Sequence, residues 1–101
     1  MNQMDIIKAL ANDKRLAILA WLKEPEVNFP EFKDKQKLKT HGICCGLIQK
    51  KAGLSQSTIS NYLTQLEKCG LLIATRDKQW TYYRRNDKQI TEFLSSLKQQ
   101  L

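Results

Sequence analysis

The stretch Gly53–Gly70, GLSQSTISNYLTQLEKCG, reads as a turn, a capped helix and a helix stop. Ser55 suits the N-cap, because its hydroxyl accepts one of the first free backbone N–H groups of a helix. Gly70 suits the left-handed position just past a helix end. With Ile59 set at zero and about 100 degrees added per residue, Tyr62, Leu63 and Leu66 gather on Ile59's side. Ser57, Ser60, Asn61, Thr64 and Lys68 gather on the other. Ordinary solvated helix faces are rich in Glu and Lys, whereas this one carries a single long cation among short hydroxyl and amide groups. Such groups let a helix lie close against base edges and phosphates in a major groove. A surface helix that merely happens to be rich in Ser, Thr and Asn has the same pattern. The flanking sequence separates the two.

Upstream, His41–Ala52 is predicted as a helix with Ile43, Leu47 and Ile48 inward; Gly53 closes it and Leu54 packs into the turn. Helix, short Gly-containing turn and capped polar-faced helix make a helix-turn-helix pattern over 43–69. Downstream, the period changes from 3.6 to about 2. Leu71–Arg76 and Trp80–Arg85 flank the polar tip Asp77-Lys78-Gln79, which predicts a hairpin over 71–85 directly behind the polar-faced helix, hence a wing. Its cations Arg76, Lys78, Arg84 and Arg85 suit phosphates or a minor groove. Trp80, Tyr82 and Tyr83 read as hinge and core packing rather than base stacking.

Further out, Met4–Leu10 is a short helix candidate, and Asn12 or Asp13 caps a second helix with Leu16, Leu19, Ala20 and Leu22 as its stripe. Pro25 ends that helix. The segment 24–40, EPEVNFPEFKDKQKLKT, holds both prolines and reads as an exposed loop insert pinned by Val27, Phe29 and Phe32. Its lysines Lys33, Lys35, Lys37 and Lys39 read as a solvated face. Asn86 or Asp87 caps a last helix over 87–101, with Ile90, Phe93, Leu94, Leu97 and Leu101 in one stripe. That stripe exceeds what one small core absorbs. Together with Ile6, Ile7 and Leu10 it predicts pairing with a second subunit.

Composition agrees with a single winged-helix domain over 1–101. Lys and Arg number 17 against 10 Asp and Glu, for a formal charge of +7, which favours a polyanionic partner. The longest apolar run, Leu16–Leu22, is far too short to span a membrane. With no basic head before a long apolar run, no signal peptide is expected, and three cysteines without one predict reduced thiols in the cytoplasm. One histidine, no Gly-rich phosphate loop and no paired acidic motif argue against an enzyme, and no cofactor is expected.

Three pieces, KALANDKRLAIL at Lys8–Leu19, LSQSTISNYLTQLEKCGLL at Leu54–Leu72 and QWTYYRRND at Gln79–Asp87, resemble the ArsR/SmtB family of bacterial winged-helix repressors. They lie in the family's order and cover most of the chain. The middle piece is the family's hallmark. The resemblance implies a mostly helical fold with a β-hairpin wing, dimeric through its terminal helices, that binds double-stranded operator DNA and releases it to an effector. By the same carry-over, Ser55, Gln56, Ser57, Thr58, Ser60, Asn61, Thr64, Arg76 and Lys78 face DNA. The rival from another class is a winged helix that serves as a protein-interaction module. Two departures stand out: the tip RDKQW lacks the glycine many members place there, and the 24–40 insert is longer than usual. It resembles a subgroup with a proline-containing linker before a G-[VI]-C segment.

Metal-sensing members of that family use a C-x-C pair, or acidic and histidine pairs on the last helix. Here Cys44 and Cys45 are adjacent, about 100 degrees apart on a helix, and the last helix has no histidine. His41, Cys44, Cys45 and the distant Cys69 leave three roles open: small structural residues, a thiol switch, or ligands of a thiophilic ion.

Overall fold

The computed structural model describes residues 2–101. Helix α1 spans Gln3–Leu10, α2 Asp13–Lys23, α3 Pro25–Asn28 and α4 Lys35–Thr40. Strand β1 is Ile43–Cys44, followed by α5 Cys45–Ala52, α6 Gln56–Lys68, β2 Leu72–Asp77, β3 Trp80–Arg85 and α7 Asp87–Gln100. The strands form an antiparallel sheet in the order β1-β3-β2. Helix-turn-helix followed by a paired hairpin is the winged-helix arrangement. Among the described residues no helix is long and apolar enough to cross a membrane.

Side-chain caps fix the starts of the longer helices. Asn12, rather than Asp13, caps α2 by accepting from the Arg15 N–H, and Asn86 caps α7 by accepting from the Gln89 N–H. Helix α6 ends on a pair of bonds from the Gly70 N–H to the Glu67 carbonyl and the Leu71 N–H to the Leu66 carbonyl. That is the Schellman arrangement, and Gly70 supplies its left-handed residue at φ +87.

The core joins Ile18, Leu19 and Leu22 of α2 to Ile48, Ile59, Leu63, Leu66, Leu71 and Tyr83. Three expectations change here. The stripe of α2 includes Ile18, while Leu16 is 48% exposed and Ala20 is exposed. The predicted 24–40 loop instead folds into α3 and α4. Phe29 anchors this insert in the core and Phe32 packs against it, but Val27 lies at the surface. The predicted helix from His41 begins only at Cys45. Gly42 adopts φ +96, and Ile43 and Cys44 pair with Tyr83 and Tyr82. A β-carbon on Gly42 would overlap the Tyr83 carbonyl, so this close approach of β1 to β3 requires glycine.

Candidate nucleic-acid interface

Helix α6 is held from three sides. Ile59, Leu63 and Leu66 are buried, and its N-terminus is capped by Ser55, whose Oγ accepts from the Thr58 N–H at 3.2 Å. Ser55 Oγ also donates to Thr58 Oγ1 at 2.9 Å. The half-buried Tyr62 receives the Asn12 side-chain amide at 3.4 Å and lies under the Arg15 guanidinium, 5.0 Å from the ring centroid. Arg15 in turn donates through Nε to the Ala9 carbonyl at 2.6 Å. These contacts lock the roll of α6 about its own axis. The same roll turns Gln56, Ser57, Ser60 and Asn61 fully outward, with Thr58 and Thr64 half-buried at the margins. Ser55 and Thr58 are thus occupied by the cap and the Ser57 hydroxyl lies 3.3 Å from Ser55 Oγ, while Gln56, Ser60 and Asn61 face solvent.

The wing is a two-residue hairpin in which Asp77 pairs with Trp80. Lys78 takes φ +59, the left-handed conformation that glycine usually supplies at such a turn. Arg76 and Lys78 are exposed, as is Trp80 at 51%. Trp80 therefore leaves the packing role expected of it, whereas Tyr82 and Tyr83 fill that role. Arg84 and Arg85 differ from the other two wing cations. Arg85 donates through Nη1 to the Leu19 carbonyl at 2.9 Å and through Nε to Asp87 Oδ1 at 3.0 Å. The Nε of Arg84 is buried. Both belong to the base of the wing.

Helix α4 grips the wing from the side. Lys37 Nζ and His41 Nε2 each lie 3.3 Å from Asp77 Oδ2, and Lys37 also sits over the Tyr82 ring at 5.2 Å. The neighbouring ammonium of Lys37 holds the Asp77 carboxyl below its ordinary pKa, and Asp77 raises that of Lys37. Lys37 is therefore a tether, not part of a solvated run. The signal for it is faint: Asp34 is a good N-cap, but its helix is only six residues long and its partners are some forty residues away in sequence.

Cys44 and Cys45 are neighbours at the start of α5, and Cys69 lies apart at the end of α6. Cys44 is the half-buried N-cap residue of α5, Cys45 starts that helix, and Cys69 is buried at the end of α6. Burial, with Cys44 alongside, pushes the Cys45 thiol up; burial does the same to Cys69, whose Sγ donates to the Leu66 carbonyl. His41 is engaged by Thr40 Oγ1 at 2.7 Å and by Asp77. The described residues hold no group of three or more His, Cys, Asp or Glu side chains arranged to share an ion.

At the terminal helices, Ile6 and Phe93 are buried in this chain's own core, so neither is exposed for an outside contact. Ile7, Leu94 and Leu101 are exposed, joined by Met4 and Leu16, while Leu10, Ile90 and Leu97 are partly buried beside them. Leu10, Leu16, Ile90 and Leu94 border one open, mainly apolar groove.

No family model matches the chain. It is 39% identical over 101 residues, the full length of both chains, to the uncharacterized HTH-type transcriptional regulator YbzH of Bacillus subtilis strain 168. It is 31% identical over 91 residues to the nodulation protein NolR of Rhizobium meliloti, covering 90% of this chain and 62% of NolR. The crystal structure of NolR from Sinorhizobium fredii superposes with a TM-score of 0.62 at 28% identity, over 95% of this chain and 80% of that one.

Proposed function

The chain belongs to the HTH-type transcriptional regulators, and from that premise we propose that it is a dimeric repressor of the ArsR/SmtB type whose α6 reads an operator. It is a DNA-binding transcriptional regulator with a winged-helix fold, a class that is not enzymatic. The finer reading assigns base contacts to Gln56, Ser57, Ser60 and Asn61, with Thr64 at the margin. Arg76 and Lys78 meet the backbone beside the groove. An effector releases the DNA, and the protein works in the cytoplasm.

One observation carries the reading. A helix locked by core contacts, a cap and the Tyr62 clamp turns Gln56, Ser57, Ser60 and Asn61 outward, beside a hairpin with two exposed cations. Amides pair with adenine edges in the major groove and hydroxyls with bases or phosphates, while wing cations supply the sequence-independent share of affinity. A second copy joined through the groove at Leu10, Leu16, Ile90 and Leu94 doubles the +7 charge and gives two reading helices for two half-sites.

The test is binding of a duplex that the protein itself selects from a random pool. Asn61→Ala is expected to lose discrimination between that duplex and a scrambled one by about tenfold, the value of one good base contact. Unchanged discrimination would remove α6 from base reading.

A further inference from the structure

The insert borders an open cleft that the DNA-facing surface does not use. It lies between the end of α2, helices α3 and α4, and the end of β3, with a volume of about 570 Å3. That is room for a small metabolite. Lys23 enters from α2, Lys35 and Lys39 from α4, and Arg84 and Arg85 from β3. The acids on its wall are Glu26 and Asp87, and Asp87 is already bonded to Arg85 at 3.0 Å. Arg85 is further occupied by the Leu19 carbonyl. Four cations, Lys23, Lys35, Lys39 and Arg84, therefore face the single carboxylate of Glu26.

Arg84 sharpens the point. Its Nε is buried and has no hydrogen-bond acceptor among the described residues. A guanidinium N–H removed from water without an acceptor is costly, and native proteins rarely leave one so. An oxyanion seated against the Arg84 guanidinium supplies the missing negative charge, and a guanidinium fork matches carboxylate or phosphate geometry. DNA bound at the wing tip does not reach this place. Arg84 is four residues along β3 from Trp80, roughly 13 Å at the usual rise per strand residue.

We propose that this cleft binds a small anionic metabolite, carboxylate- or phosphate-bearing, anchored by Arg84, and that this ligand is the effector of the repressor proposed above. The coupling lies in α4. Its Lys35 and Lys39 face the cleft, whereas its Lys37, with the adjoining His41, holds Asp77 at the wing tip. An anion that draws Lys35 and Lys39 inward shifts the helix that sets the wing.

The first arm of the test needs no DNA. Inorganic phosphate and succinate are titrated separately into the 15N-labelled protein at constant ionic strength, following the arginine Nε–Hε resonances. Arg84→Met assigns the Arg84 signal by its disappearance. That signal is expected to shift saturably with at least one anion, phosphate or carboxylate distinguishing the two chemistries. The surface double variant Lys35→Gln/Lys39→Gln should keep the signal and bind the anion at least about tenfold more weakly. A shift that only tracks ionic strength, or equal affinity in the double variant, overturns the site. The second arm measures affinity for the selected duplex with and without the saturating anion. A change of about fivefold or more is expected, within the usual range of coupling between sites. Anion binding with no change in DNA affinity overturns the effector role. A protein that binds no selected duplex overturns the repressor reading instead, and leaves the first arm standing.

Discussion

At the scale of single residues, the α6 face and the wing tip divide the work between sequence reading and charge in the proposed function. Lys78 shows the division, because its backbone and its side chain pull in opposite directions. At φ +59 a lysine costs about 1 kcal/mol more than glycine. Lys78→Gly is therefore expected to raise the melting temperature by about 4–8 °C, as a gain near 1 kcal/mol does in a domain of this size. The same change should flatten the salt dependence of DNA binding by about one unit, because one phosphate is no longer neutralised. A melting gain with an unchanged salt slope would move Lys78 off the DNA. Cys45 behaves differently. Its raised pKa keeps the thiol protonated at neutral pH, so alkylation is expected to be slow there and to accelerate only above the ordinary thiol range. Rapid labelling of Cys45 at neutral pH, read by mass spectrometry, would contradict this and favour a thiol switch.

Between secondary-structure elements, the joint of α4, β1 and the wing is the part that sequence reading reached least. Helix α6 was legible because its two faces differ in chemistry and both ends carry capping residues. The hairpin was legible from the change of period. The two short helices of the insert were not, since neither is stable alone and α4 is held by Asp77 and Tyr82, far along the chain. Strand β1 is too short for any period to announce, and it rests on Gly42. Gly42→Ala is expected to cost at least about 2 kcal/mol, because a left-handed non-glycine residue is strained and its β-carbon meets the Tyr83 carbonyl. Melting should fall by roughly 10 °C; a variant as stable as the parent would show that β1 is not rigidly paired. The Lys37–Asp77 tether has a definite pH window. Asp77's lowered pKa gives a contribution present above the ordinary carboxylate range and lost as pH falls through the folded value. Lys37's raised pKa gives one present below the ordinary lysine range and lost as pH rises through the folded value. Asp77→Asn should thus free the insert from the wing at neutral pH, seen as faster amide exchange over 35–41, with little difference from the parent in strong acid. Equal exchange at neutral pH would mean that the tether does not hold α4.

For the whole molecule, apolar surface gathers beside α7, where Leu10, Leu16, Ile90 and Leu94 border one groove. The stripe of α7 was readable in the sequence, but which of its residues turn outward was not, because Phe93 and Ile6 are used by this chain's own core while Leu16 is not. Leu94, at 56% exposure, is the better probe of self-association, since a charge there leaves the protomer's core intact. Leu94→Glu is expected to give a folded monomer by light scattering; an intact dimer would place the interface elsewhere. The account as a whole rests on α6 and the wing acting on DNA together. Its most direct test is fluorescence anisotropy of the parent protein on its selected duplex and on a scrambled duplex, across a series of salt concentrations. The account predicts affinity for both that falls several units of log K per log salt, from the cations, with a gap between them that persists, from α6. A shallow slope and no gap would contradict it.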